Sequence, residues 1–101
     1  GERTQAGTVY IAPPDYHLCL EPNQTLSLSS DEPVLFSRPS IDVMFDSVAF
    51  SAGSSALGIL LSGANEDGAR GLAEILREGG VVAWLCKRVI FVIPRISPLR
   101  N

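Results

Sequence analysis

The chain has 101 residues, 46% of them hydrophobic and 19% charged, and its eleven acidic and eight basic side chains leave a net charge of −3. That composition reads as globular and not disordered, and 101 residues are enough for one domain and too few for two. The mild acidity gives no reason to expect nucleic acid or an anionic lipid surface as a partner.

The first predicted element is the β-branched and aromatic run Thr8 to Ala12 (TVYIA), a strand stopped by Pro13-Pro14. Leu18 to Leu20 and Thr25 to Leu28 flank the turn-rich quartet Glu21 to Gln24, which predicts a small hairpin, and residues 29–39 read as a loop. At Ser40 the period changes. Ser40 can cap a helix, Asp42 sits in its first turn where negative charge suits the dipole, and Ile41, Met44, Phe45, Val48 and Ala52 share one face before Gly53 stops it. Ala56 to Leu61 (ALGILL) is apolar without alternation, the pattern of a strand buried on both faces of a parallel sheet. A Gly-rich stretch at 62–71 (SGANEDGARG) then enters a second helix that runs to about Glu78. Leu72, Ile75 and Leu76 form its apolar face, Gly79-Gly80 its end, and Glu66 and Arg70 are spaced for an i,i+4 ion pair.

Val81 to Cys86 reads as a further buried strand, so the order predicts an α/β fold with right-handed crossovers. Phe36, Phe45 and Phe50 are expected in its core. The apolar stretch 81–93 is broken by Lys87-Arg88 and too short to cross a bilayer. No targeting segment opens the chain, and Cys19 and Cys86 lack any metal or redox spacing, so reduced cysteines and a cytoplasmic location are expected. One histidine and two isolated cysteines do not readily make a zinc site.

In open α/β sheets, sites gather beyond the carboxyl ends of the strands. Two predicted strand ends carry ionisable groups: Ala12 leads to Asp15 and the only histidine, His17, and Leu61 leads to Glu66 and Asp67. If the two strands are neighbours, a carboxylate can hold one ring nitrogen of His17 and leave the other as a general base. Plainer readings stand beside this one: His17 as a satisfied polar residue, Asp67 as a first-turn acid. The stretch 62–71 lacks the Lys-Ser/Thr of a P-loop and is not GxGxxG, so no nucleotide site is expected.

Three segments, TVYIAPPDYHLCL (8–20), SRPSIDVMFDSVAFSAG (37–53) and ALGILLSGANEDGARGLAEILREGG (56–80), resemble in order and spacing the later part of the chemotaxis methylesterase domain, CheB. The resemblance implies a three-layer α/β/α fold with a largely parallel sheet, present here as an incomplete, N-terminally truncated part plus the small hairpin. Residues 1–101 would then form a partial domain, family-like over 7–80 with a divergent tail at 81–101. It implies hydrolysis of γ-glutamyl methyl esters on methyl-accepting chemoreceptors, and glutamine deamidation, by a Ser-His-Asp triad without metal or organic cofactor. Carried over by position, His17 is the general base and Asp67 the acid that orients it. Ala64 stands where the family usually has a methionine whose backbone N–H helps form the oxyanion hole, and Arg38, Pro39, Ser40 and Asp42 match a family segment read as a loop and helix cap that shapes the site.

The chain departs from the family pattern in two places. No serine occupies the position of the family nucleophile, which lies in a turn after an early strand and is expected before residue 1, so the isolated chain is expected to be inactive. Beyond Gly80 the family's glutamine-containing loop and Met-Pro segment are not recognisable, as a shifted reading frame or true divergence would produce. Trp84 and Val89 to Ile93 are candidates for exposed apolar surface, and with an uncovered sheet edge they favour self-association. The reading from another class is a non-catalytic module that docks on receptors or on the chemotaxis kinase, and an upstream receiver domain is a further expected partner. An accidental match, to an unrelated α/β hydrolase or phosphate-binding domain, would leave His17 and Asp67 far apart.

Overall fold

A computed structural model describes residues 1–61, 67–86 and 89–93, with the backbone alone for 85, 86 and 89–93. A three-stranded antiparallel sheet forms first, from β1 (Glu2–Arg3), β2 (His17–Leu20) and β3 (Thr25–Ser29) in the order β1-β3-β2. The hairpin β2–β3 pairs His17 with Ser29 and Leu20 with Leu26, and its turn closes through Gln24 N–H to the Glu21 carbonyl at 2.9 Å. The expected strand at Thr8 to Ala12 is not one. Among the described residues the run has no partner strand, it is irregular, and Val9 and Ile11 are 86% and 84% exposed.

Helix α1 (Ile41–Ala52) keeps the boundaries its local signals predict, with Ser40 accepting from Val43 N–H and Gly53, at φ 52°, closing the end onto the Ala49 carbonyl. It stands between the two sheets. On one side Leu20 N–H donates to Ser47 Oγ at 2.9 Å and Ser51 Oγ donates to the Leu20 carbonyl at 2.7 Å. On the other, Phe45 and Ala49 join Ala56, Leu60, Leu72, Ile75 and Val82 in the core. A short 3₁₀ turn, Gly53–Ser55, leads into β4 (Leu57–Leu61), followed by α2 (Ala69–Arg77), β5 (Val81–Cys86) and β6 (Val89–Ile93). β4 and β5 are parallel and β6 returns antiparallel to β5. Helix α2 ends where Gly79 adopts φ 90° and Gly80 N–H reaches the Ile75 carbonyl at 2.9 Å; that left-handed close is the reason for glycine there.

β4 is buried on one face only. Gly58 and Leu60 meet the helices, while Leu57, Ile59 and Leu61 alternate onto the opposite face and are each more than half exposed. The unalternating apolar run thus records a strand with two apolar faces, of which the described residues cover one. Of the three phenylalanines expected inside, only Phe45 is buried; Phe36 and Phe50 are exposed.

Phe36 sits in a tight reversal in which Val34 and Ser37 exchange main-chain hydrogen bonds of 2.9 and 2.8 Å, with Leu35 at φ 50° and Phe36 at φ 65°. Two successive left-handed residues define the type I′ geometry, which asparagine and glycine accept and large side chains resist. Replacing Leu35-Phe36 by Asn-Gly should therefore raise stability by roughly 1–2 kcal/mol, read as a higher urea midpoint at unchanged slope.

Candidate active site

Helices α1 and α2 begin side by side, and each begins on a carboxylate supplied by the other's approach. The first turn of a helix presents unpaired N–H groups and a partial positive charge, so a buried carboxylate can be satisfied there without a basic side chain. Asp67, two residues ahead of α2 and 6% exposed, turns back to the start of α1. Its Oδ1 accepts from Ser40 Oγ at 2.8 Å and Asp42 N–H at 3.0 Å, and its Oδ2 accepts from Ile41 N–H at 2.7 Å. Asp42, in the first turn of α1 and 3% exposed, reaches the opposite way. Its Oδ1 accepts from Gly68 N–H at 2.9 Å and Gly71 N–H at 2.7 Å.

His17, the first residue of β2 and fully buried, joins this clasp at Ser40. Ser40 N–H donates to His17 Nδ1 at 3.1 Å, so the ring carries its proton on Nε2, which lies 3.0 Å from the Glu32 carbonyl oxygen and donates to it. The structure therefore brings His17, Ser40 and Asp67 together, with Ser40 bonded to both of the others. It departs from the expected pairing, in which the carboxylate takes one ring nitrogen and the other stays open to substrate. Here a main-chain group occupies each nitrogen, and the ring is shut off from solvent. His17 also opens a strand instead of following one, because Thr8 to Ala12 finds no sheet to join.

Of the residues expected to shape the site, Arg38 donates from Nη1 to the Ser30 and Asp31 carbonyls at 3.1 and 3.3 Å, in the loop that presents the Glu32 carbonyl to His17. Pro39 lines a small apolar cleft of about 120 Å³ with Ala12, Leu18, Ser40, Ile41 and Met44. Ala64, the expected backbone donor, and Glu66, the expected partner of Arg70, lie outside the described residues. Arg70 makes a two-pronged ion pair with Asp46 on α1, at 3.1 and 2.8 Å, and that carboxylate pushes the guanidinium pKa further up. The pair is exposed, so it is worth little more than about 1 kcal/mol. Cys19 carries a free thiol whose pKa is raised, first by burial and then by Glu21 and Asp31, which keeps it protonated at neutral pH.

The sequence reading placed Asp42 in the loop and cap segment that shapes the site, but not as the acceptor for the start of α2. Its first-turn position is explained by its own helix dipole, and the side chain serves the other helix instead. The signal lay in Gly68 and Gly71. A Cβ at 68 would sit 2.6 Å from Leu60 Cδ1, and one at 71 would sit 2.6 Å from Phe45 Cβ and 3.1 Å from Asp42 Cα. Two glycines one turn apart at a helix start mark a close approach of backbone to backbone.

A parallel strand, a crossover helix and a buried carboxylate beyond the strand's end define an α/β domain with its polar site at the carboxyl edge of the sheet. The chain belongs to the CheB methylesterase family, whose model matches residues 1–88. A curated relative from Leptospira interrogans is 48% identical over 80 residues, covering 79% of this chain and 42% of that protein. A Chromohalobacter salexigens protein named protein-glutamate methylesterase/protein-glutamine glutaminase is 41% identical over 100 residues, 94% of this chain and 28% of that one. The crystal structure of the Thermotoga maritima CheB methylesterase catalytic domain superimposes with a TM-score of 0.76 at 32% identity, over 81% of this chain and 45% of that one. The fold is thus the α/β fold of that catalytic domain, and the chain spans less than half the length of these relatives. Among the described residues no helix is long and apolar enough to cross a membrane.

Proposed function

We propose that this chain supplies the orienting carboxylate of a protein-glutamate methylesterase that hydrolyses γ-glutamyl methyl esters on chemoreceptors and deamidates receptor glutamines. The family and the names of its curated members support the reaction class. The observation that carries the residue assignment is the Asp67 carboxylate, buried at the carboxyl edge of the sheet and fixed by three donors at the start of α1. A carboxylate so fixed holds its charge and direction, which is what a histidine base needs from its partner: the right tautomer, and a countercharge when the ring takes a proton.

We read His17 as the general base, as the family resemblance implies; its Nδ1 accepts from Ser40 N–H and its Nε2 donates to the Glu32 carbonyl here, so one of these main-chain partners gives way to the reacting hydroxyl. His17 is the only histidine in the sequence. We assign the nucleophilic serine to the part of the family domain that this chain does not span. In that scheme the serine hydroxyl attacks the ester carbonyl, the base takes its proton and returns it to the leaving methanol, and water then releases the glutamate.

Methanol release from a methylated chemoreceptor tests the assignment, using a methylesterase domain of full family length that carries this segment. Asp67→Asn should lower kcat by about 10⁴, as loss of a triad carboxylate does elsewhere. His17→Gln, which can still accept from Ser40 and donate to Glu32 but cannot take up a proton, should lower kcat by about 10⁴ or more. An Asp67→Asn enzyme of undiminished activity would overturn the reading. So would a His17→Gln enzyme within about tenfold of the parent, and methanol release by the 101-residue chain that His17→Ala abolishes would place the nucleophile inside these residues.

A further inference from the structure

We propose that Asp42 is a positioning residue for the Asp67 carboxylate, acting through the two α2 amides that it holds. The inference rests on the reading of Asp67 as the orienting acid and adds the device that sets where that acid stands. Asp67 lies two residues before the first residue of α2, so its carboxylate can be no better placed than the beginning of that helix. The beginning of α2 is placed by Asp42, whose Oδ1 receives both Gly68 N–H and Gly71 N–H. Asp42 N–H in turn donates to Asp67 Oδ1. The bonds close a loop: the residue that fixes the start of α2 is itself fixed by the acid that precedes α2.

Three features make this more than ordinary capping. Gly68 stands at φ 108°, a conformation that leaves its N–H aimed across at α1. Gly71 lies so close to α1 that the two backbones touch, which gives the Asp42 side chain a single short path to both amides. Asp42 is also buried at 3% exposure, so it cannot meet a substrate and can act only through other residues. Both bonds end on one oxygen, so geometry, rather than charge, is what Asp42 contributes. Asparagine keeps an oxygen at that position and alanine does not.

The test is the kinetics of the same full-length domain with Asp42→Ala, Asp42→Asn and, as a reference, Asp67→Asn. Asp42→Ala should lower kcat by about 100-fold, the effect of displacing a catalytic group by an ångström, with KM nearly unchanged. Asp42→Asn should recover most of that loss. An unchanged kcat in Asp42→Ala, or an Asp42→Asn enzyme as slow as Asp42→Ala, would overturn the proposal. If Asp67→Asn silences turnover and Asp42→Ala does not, the positioning role alone falls; if Asp67→Asn is harmless, the reading of Asp67 falls with it. Should Asp42→Ala fail to fold, amide exchange of the unaltered chain decides. The N–H groups of Ile41, Asp42, Gly68 and Gly71 should open together as one unit, and independent exchange rates for the two pairs would refute the closed loop.

Discussion

Replacing Asp67 by alanine should destabilise the folded chain by about 2–4 kcal/mol, because three buried donors on α1 lose their acceptor at once. The measurement is the urea midpoint at unchanged slope. Asp67→Asn should cost less: it keeps one oxygen for Ser40 Oγ and Asp42 N–H, but turns an NH₂ group towards the N–H of Ile41 or of its neighbour. The order alanine worse than asparagine is the informative part. Near-equal values would mean that the negative charge near the helix start matters more than the bonds. A loss below about 0.5 kcal/mol in both, the range of an ordinary surface substitution, would mean that α1 is not tied to Asp67 at all.

Gly71→Ala is the second large effect, and two terms oppose each other in it. Within a helix, alanine is favoured over glycine by about 1 kcal/mol. Against this, the added Cβ would lie 2.6 Å from Phe45 Cβ and 3.1 Å from both Asp42 Cα and the Asp42 carbonyl oxygen. None of these is the free end of a side chain, so relief requires α2 to move away from α1. Overpacking of that kind costs more than the propensity gains, and a net loss of roughly 1–3 kcal/mol is expected in thermal or urea unfolding. Gly58→Ala is the control. Its Cβ would meet Ile75 Cδ1 at 2.8 Å and Leu72 Cδ1 at 3.0 Å, both ends of flexible side chains that can swing aside. Its loss should be the smaller of the two, and a reversed order would show that the helix contact is looser than its geometry.

Much of the fold was legible where the signals are local. Ser40 and Gly53 bracket α1 because a cap hydroxyl and a left-handed stop act within one turn of chain. Gly79-Gly80 ends α2 for the same reason. What was not legible depends on partners. Thr8 to Ala12 has the composition of a strand, yet a strand exists only by pairing, and nothing in five residues says whether an edge is available. Phe36 and Phe50 have core composition but stand on a turn and on an outward helix face, and composition is blind to both. At the site, Asp67 and His17 both bond to Ser40, which the sequence presents only as a helix cap and loop residue. The direction of each hydrogen bond was not recoverable, because Ser40 places its N–H and its hydroxyl between them, and Asp46 is spatially better placed for Arg70 than sequence spacing suggests.

The two serines of α1 that grip Leu20 bear on how this domain can grow. β2 is the outer strand of its sheet, and outer strands ordinarily advertise unpaired amides and carbonyls to any extended chain nearby. Ser47 and Ser51, one helical turn apart, answer the outward N–H and C=O of Leu20 with two hydroxyls, standing in for the strand that would otherwise be recruited. That margin is sealed at Leu20 by side chains on a helix that cannot slide along it. β4 is also an outer strand, but its outward face of Leu57, Ile59 and Leu61 is left apolar and exposed by the described residues.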